Sequence, residues 1–142
     1  MIIDATNLLL GRFATVAAKK ALLGEEIIVI NCEKAVMSGR RKQIIQKHKD
    51  RAELGQFRKG PFFKRRPDMY VKRVLRGMIP YKQEKGRIAY KKIRCYIGVP
   101  EEVNGKKIET VPSANADKLK VLRSMTVADI CKQIGGDKWQ NL

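Results

Sequence analysis

This chain of 142 residues has one histidine and three cysteines, and acidic residues are scarce in its middle third. His48, Cys32, Cys95 and Cys131 stand far apart and form no C-x-x-C and no ligand pair. A zinc site needs four soft ligands at recognisable spacings, so no metal is expected. Odd, scattered cysteines read as reduced thiols packed as small hydrophobes. No apolar run approaches the roughly 18 residues of a membrane span. Met1-Ile2-Ile3-Asp4 carries no basic leader of the secretory kind, so a cytosolic protein is expected.

Glycine is missing where nucleotide chemistry would need it. A pyrophosphate-binding turn uses G-x-G-x-x-G, and the first turn here offers only Gly11. The segment 55–60 begins and ends in glycine like a phosphate loop. However, Pro61 and Phe62 stand where lysine and a hydroxyl should be. There is no G-x-S-x-G, and the acids are scattered or adjacent (Glu25-Glu26, Glu101-Glu102). His48 lies in a basic stretch, as a boundary residue or an RNA contact rather than a base. Catalysis, a cofactor and a small-molecule substrate are therefore not expected. Repeats and low-complexity tracts are absent, and residues 1–142 read as one domain.

Positive charge is abundant, and it is localised. Residues 39–94 hold 20 Lys and Arg against four acids (Asp50, Glu53, Asp68, Glu84), while the flanking segments nearly balance. The formal net charge of +17 is thus a block, which repels itself unless a polyanion neutralises it. An ordinary solvated helix face mixes both signs. About half of these cations are arginines, whose planar forks suit phosphate and base stacking. An anionic membrane surface would require a basic amphipathic helix with a bulky apolar face, and the stripes here are narrow and suited to packing.

The hydrophobic pattern predicts an α/β domain. Residues 2–3, 27–30 and 95–97 read as buried strands, and their β-branched, non-alternating character suits parallel pairing. A helix is expected over 11–23, with Phe13, Val16, Ala17 and Ala21 inward and Gly24 ending it. Within the basic block, residues 41–53 place Ile44, Ile45 and His48 on one stripe. Pro67 is set to open a helix carrying Val71, Val74, Leu75 and Met78, and Pro80 to close it. A shorter helix is expected over 83–92. Thr126-Val127-Ala128-Asp129 resembles a capping box that starts a last helix, stopped by Gly135-Gly136.

Residues 55–66 have no period and carry five cations and three phenylalanines. Phe57, Phe62 and Phe63 suit either stacking on unpaired bases or anchoring the loop to the domain. The candidate RNA-binding residues are Arg40, Arg41, Lys42, Lys47, Lys49, Arg58, Lys59, Phe62, Phe63, Lys64, Arg65, Arg66, Arg73, Arg76, Lys82, Lys85, Arg87, Lys91 and Lys92. Two other functional classes stay open, a nucleotide-using α/β enzyme and a nucleic-acid chaperone or regulator.

Several blocks resemble a known family. They are Ile3-Asp4-Ala5 with Leu10-Gly11-Arg12, Val29-Ile30-Asn31-Cys32-Glu33, and Gly60-Pro61-Phe62 with Arg66-Pro67-Asp68. Arg76-Gly77-Met78-Ile79-Pro80 with Lys85-Gly86-Arg87 follows, then Arg94-Cys95-Tyr96 through Gly98-Val99-Pro100. Together they resemble the large-subunit ribosomal protein family L-thirteen in its archaeal and eukaryotic form. The resemblance implies a three-layer α/β/α domain on a mostly parallel four-stranded sheet, with the basic block as a helical and loop extension. It also implies large-subunit ribosomal RNA and neighbouring large-subunit proteins as partners, a seat on the cytoplasmic ribosome, and no catalysis. The RNA-facing segments would be 38–42, 58–66 and 73–87, with Lys91 and Lys92. No family motif reaches Lys106, Lys107 or Lys138. The bacterial branch's His-Thr-Gly pattern is missing, and the phenylalanine loop stands in its place.

Overall fold

A computed structural model describes residues 1–56, 58–119 and 123–136. The first three elements are β1 (Ile2–Asp4), α1 (Leu10–Leu22) and β2 (Ile27–Ile30). They are followed by β3 (Val36–Ser38), α2 (Arg41–Glu53), α3 (Pro67–Met78), α4 (Glu84–Lys91) and β4 (Ile93–Cys95). The chain continues through β5 (Ile108–Glu109), β6 (Ser124–Thr126) and α5 (Val127–Gln133). Four strands form one sheet in the order β4-β2-β1-β5, every pairing parallel. β3 and β6 form a separate antiparallel ribbon.

The βαβ unit forms where the apolar pattern puts it. Gly24 ends α1 with φ 102°, a conformation that side chains rarely tolerate. Phe13, Ala14, Ala17, Ala18 and Ala21 pack on one face of the sheet, against Ile3, Ile27, Val29 and Ile93. Val71 and Leu75 of α3 and Ala89 of α4 complete this core. The opposite face is covered at Ile2 and Ile30 by Val103, from a short 3-10 turn over Glu101–Val103. Strands buried on both faces account for the continuous Ile-Ile-Val-Ile run.

β4 lies two residues earlier than the pattern suggested. Ile27 pairs with Ile93 and Val29 with Cys95, so the strand ends where 95–97 was to begin. Ile-Arg-Cys alternates because β4 is an edge strand whose Arg94 faces solvent. Tyr96 still donates its N–H to the Val29 carbonyl at 2.8 Å, extending the pairing by one bond. Cys32 and Cys131 are buried thiols and Cys95 is half-buried.

The basic block divides between two supports. α3 and α4 lie beside α1 in the layer over the sheet. α2 packs instead on α5 and the ribbon, through Ile44, Ile45, Met37, Met125 and Ile130. α5 begins as the capping pattern indicates, with the Thr126 hydroxyl accepting from the Asp129 N–H at 3.2 Å.

Gly86 is the tightest point of this layer. A Cβ there would run into the Pro80 carbonyl, whereas one at Gly77 would meet nothing. Gly86→Ala should therefore lower stability by on the order of 3 kcal/mol, and Gly77→Ala should raise it by up to about 1 kcal/mol. Urea midpoints of the two variants check the contrast.

Candidate nucleic-acid interface

Every Lys and Arg in residues 39–94 is exposed except Lys72 and Lys92, which are half-buried. Among the described residues two ion pairs occur, Arg66–Asp68 at 3.1 Å and Arg94–Glu102 at 3.9 Å. Most of these cations therefore face solvent without a carboxylate partner. Surface ion pairs contribute little to stability, so their scarcity costs the fold little and leaves positive potential intact.

Aromatic rings hold several of these cations in place. The Arg76 guanidinium sits 4.0 Å from the Tyr81 ring centroid, Arg73 5.6 Å from Phe63, and Lys72 5.3 Å from Tyr90. Such stacking orients a cation without neutralising it. Lys92 is employed differently. Its Nζ donates to the Gly24 carbonyl at 2.8 Å, tying α4 to the end of α1. Arg65 lies against the end of α5, so close that a Cβ on Gly136 would overlap its backbone.

The loop before α3 turns tightly. Gln56 and Gly60 exchange backbone hydrogen bonds at 3.0 and 3.2 Å, placing Arg58 and Lys59 at the tip. Gly60-Pro61 is a cis peptide. The phenylalanines part company here. Phe62 is 66% exposed, whereas Phe63 packs against the main core. Its ring meets His48 and Tyr70, both at 6.3 Å between centroids. Phe57 and Lys138 lie outside the described residues.

His48 is the hinge of that cluster. It is buried, with Nδ1 2.6 Å from the Ile44 carbonyl oxygen and Nε2 2.6 Å from the Tyr70 hydroxyl. The neutral ring fits both partners, with Nδ1–H donating to the carbonyl and Nε2 accepting from the phenol. Burial pulls the imidazole below its ordinary 6.5, and the charges of Arg51 and Lys47 act the same way. The Ile44 bond opposes them without prevailing. Burial also raises the Tyr70 phenol.

Between α2, the loop and α3 lies a cleft of about 230 Å³, lined by Arg51, Leu54, Pro61, Phe63 and Arg73. Arg51 was not among the candidates. Its place on the polar face of 41–53 was legible, but its approach to Arg73 depends on how α2 and α3 pack.

The turn after β1 is closed by its own side chains. Asp4 Oδ1 accepts from the Thr6 N–H at 2.9 Å, the Thr6 hydroxyl at 2.7 Å and Asn31 Nδ2 at 3.0 Å. Partial burial pulls the Asp4 carboxyl upward. The bonds from Thr6 and Asn31, with the Lys34 charge, outweigh it and hold the pKa below the usual value. Among the described residues no three His, Cys, Asp or Glu side chains come together, and no helix is long and apolar enough to cross a membrane.

The model of the family described as Ribosomal protein L13 matches residues 1–102, which include the whole basic block. This chain belongs to that family. It is similar to the large ribosomal subunit protein uL13 of Archaeoglobus fulgidus, at 38% identity over 135 residues, covering 94% of this chain and 86% of that protein. The uL13 of Methanopyrus kandleri is 43% identical over 136 residues, with the same coverage. That of Methanosarcina barkeri is 45% identical over 117 residues, 82% of each chain. The family's match takes in both the neutral βαβ platform and the cationic surface built on it.

Two predictions follow from the cluster beneath that surface. Phe63→Ala should cost about 2 kcal/mol of stability, because it empties a packed aromatic site, while Phe62→Ala should leave the unfolding midpoint nearly unchanged. Because the folded state resists protonating His48, the unfolded state binds more protons just below pH 6.5. Stability is then full above pH 6.5 and declines as pH falls toward 5. Urea midpoints across that window should fall for the wild type and fall less for His48→Gln.

Proposed function

We propose that this protein is a structural constituent of the large ribosomal subunit, on the cytoplasmic ribosome. Its basic surface binds large-subunit ribosomal RNA, beside neighbouring large-subunit proteins. Residues 1–142 act as one unit, with 39–94 as its RNA-facing part. The observation that carries this reading is the exposed, largely unpaired cation surface within the segment that matches the family. The role is architectural rather than catalytic.

The mechanism is phosphate neutralisation by a preformed surface. Arg40 directly precedes α2, Arg41, Lys42, Lys47 and Lys49 lie on it, and Arg58, Lys59 and Lys64 lie in the loop. Arg73, Arg76, Lys82, Lys85, Arg87 and Lys91 extend the surface along α3 and α4. Each cation that meets a phosphate displaces condensed counterions, which drives binding. Phe62, exposed beside the cis Gly60-Pro61 bond, can stack on an unpaired base, while Phe63 fixes the loop to the domain. Arg65, Arg66 and Lys92 make contacts within the protein as well, so they contribute charge with less freedom to move. Selectivity comes mainly from RNA shape, because A-form major grooves are too narrow to read.

If six to ten phosphates are engaged, affinity for large-subunit RNA should fall about 10³–10⁵-fold between 50 and 200 mM salt, by analogy with duplex DNA. Filter binding across a salt series checks this, and a flat profile contradicts it. The protein should also sediment with intact large subunits and leave them only at high salt. A chaperone without a ribosomal seat would not.

A further inference from the structure

The antiparallel ribbon brings a distant cation to the start of α2. Ser38 pairs with Ser124, and the Gly39 N–H donates to the Arg123 carbonyl at 2.8 Å. Arg123 lies outside the basic block in sequence, yet it is placed beside that block's first residues. A surface cavity of about 480 Å³ opens at this junction, lined by Arg40, Arg41, Lys42, Gln43, Arg123 and Ser124. Four of these side chains are cationic and none is acidic. All four are exposed, and among the described residues none makes an ion pair.

A second cavity of about 440 Å³ shares Gly39, Arg40 and Gln43 with the first and continues along α2 past Lys47 and Arg51. The two adjoin at these shared residues, so cations line the surface from Arg123 to Arg51. Ile44 and Val74 contribute apolar lining to the second cavity, and Ile44 packs beneath α2 against Met125 and Ile130. A surface of this kind fits a polyanionic strand laid along it better than a compact anion, since its charges are spread over its length. The opening turn of α2 holds no acidic residue and no side-chain cap, so that turn itself offers no competitor for phosphate.

We infer that Arg123 joins Arg40, Arg41 and Lys42 in a phosphodiester-binding pocket that receives one strand of RNA backbone and directs it along α2. This rests on the RNA-binding function proposed above and adds to it a contact from the C-terminal third. The pocket is incomplete until β6 pairs with β3, because only that pairing places Arg123 there.

The test uses the full chain and large-subunit ribosomal RNA, comparing wild type with Arg123→Ala, Arg123→Lys and a control, Lys132→Ala. Lys132 is exposed and lines neither cavity. Arg123→Ala should weaken binding about tenfold and lower the salt slope by about one. Arg123→Lys should keep the slope and recover part of the affinity, and the control should bind like wild type. Unfolding midpoints should be equal throughout, since both side chains are exposed. If wild type binds with strong salt dependence but Arg123→Ala matches the control, the pocket is refuted and the RNA-binding function stands. If wild type shows no salt-dependent binding, the broader function fails, and the pocket with it.

Discussion

Like-charge repulsion within residues 39–94 is the constraint that the rest of the molecule accommodates. Two unit charges about 10 Å apart in water repel by roughly 0.4 kcal/mol before salt screening. No single pair matters, but a surface with 20 cations and four acids contains many pairs. Opposing them are narrow apolar stripes. Fully burying one Val, Leu or Ile side chain contributes about 1.5–3 kcal/mol, and Ile44, Val71 and Leu75 are each buried beneath a charged helix face. A few such residues per helix suffice, which is why each helix can devote most of its circumference to charge.

The means of holding these cations matter as much as their number. Carboxylate partners would fix them but also cancel them. Tyr81, Phe63 and Tyr90 restrain Arg76, Arg73 and Lys72 through ring faces instead. A side chain positioned before its ligand arrives loses less freedom on binding. The His48–Tyr70–Phe63 cluster extends this arrangement inward, because it connects the loop, α2 and α3 through one buried hydrogen-bonded group.

Local signals in the chain carried much of this. Pro67, Gly24 and Gly135 act through backbone geometry and Thr126 through its capping hydroxyl, each within a few residues, so the helix limits could be read from them. The stripe of Ile44 and His48 was equally plain, since period alone reveals it. What escaped depended on distance. Val36–Ser38 and Ser124–Thr126 are too short to stand out as strands, and they become one only by pairing with each other. The edge position of β4 admits an arginine that a central strand would exclude, so its start was misplaced. Phe62 and Phe63 are adjacent and chemically identical, and only the meeting of His48 from α2 with Tyr70 from α3 decides which of them is covered. Lys92 and Arg65 look like their neighbours in composition, yet Lys92 bonds the Gly24 carbonyl and Arg65 lies against the glycines that end α5.

The β3–β6 ribbon also bears on the order of events during biosynthesis. Residues 36–38 are synthesised well before their partners at 124–126. Until then α2 lacks both α5 and the second strand of the ribbon as a bed. The βαβ platform can close much sooner, but the cationic helix above the ribbon must wait for late-made residues. The cations of α2 therefore take up their final places only after residues 124–126 have been made, later than those of α3 and α4, which share the core of the βαβ unit.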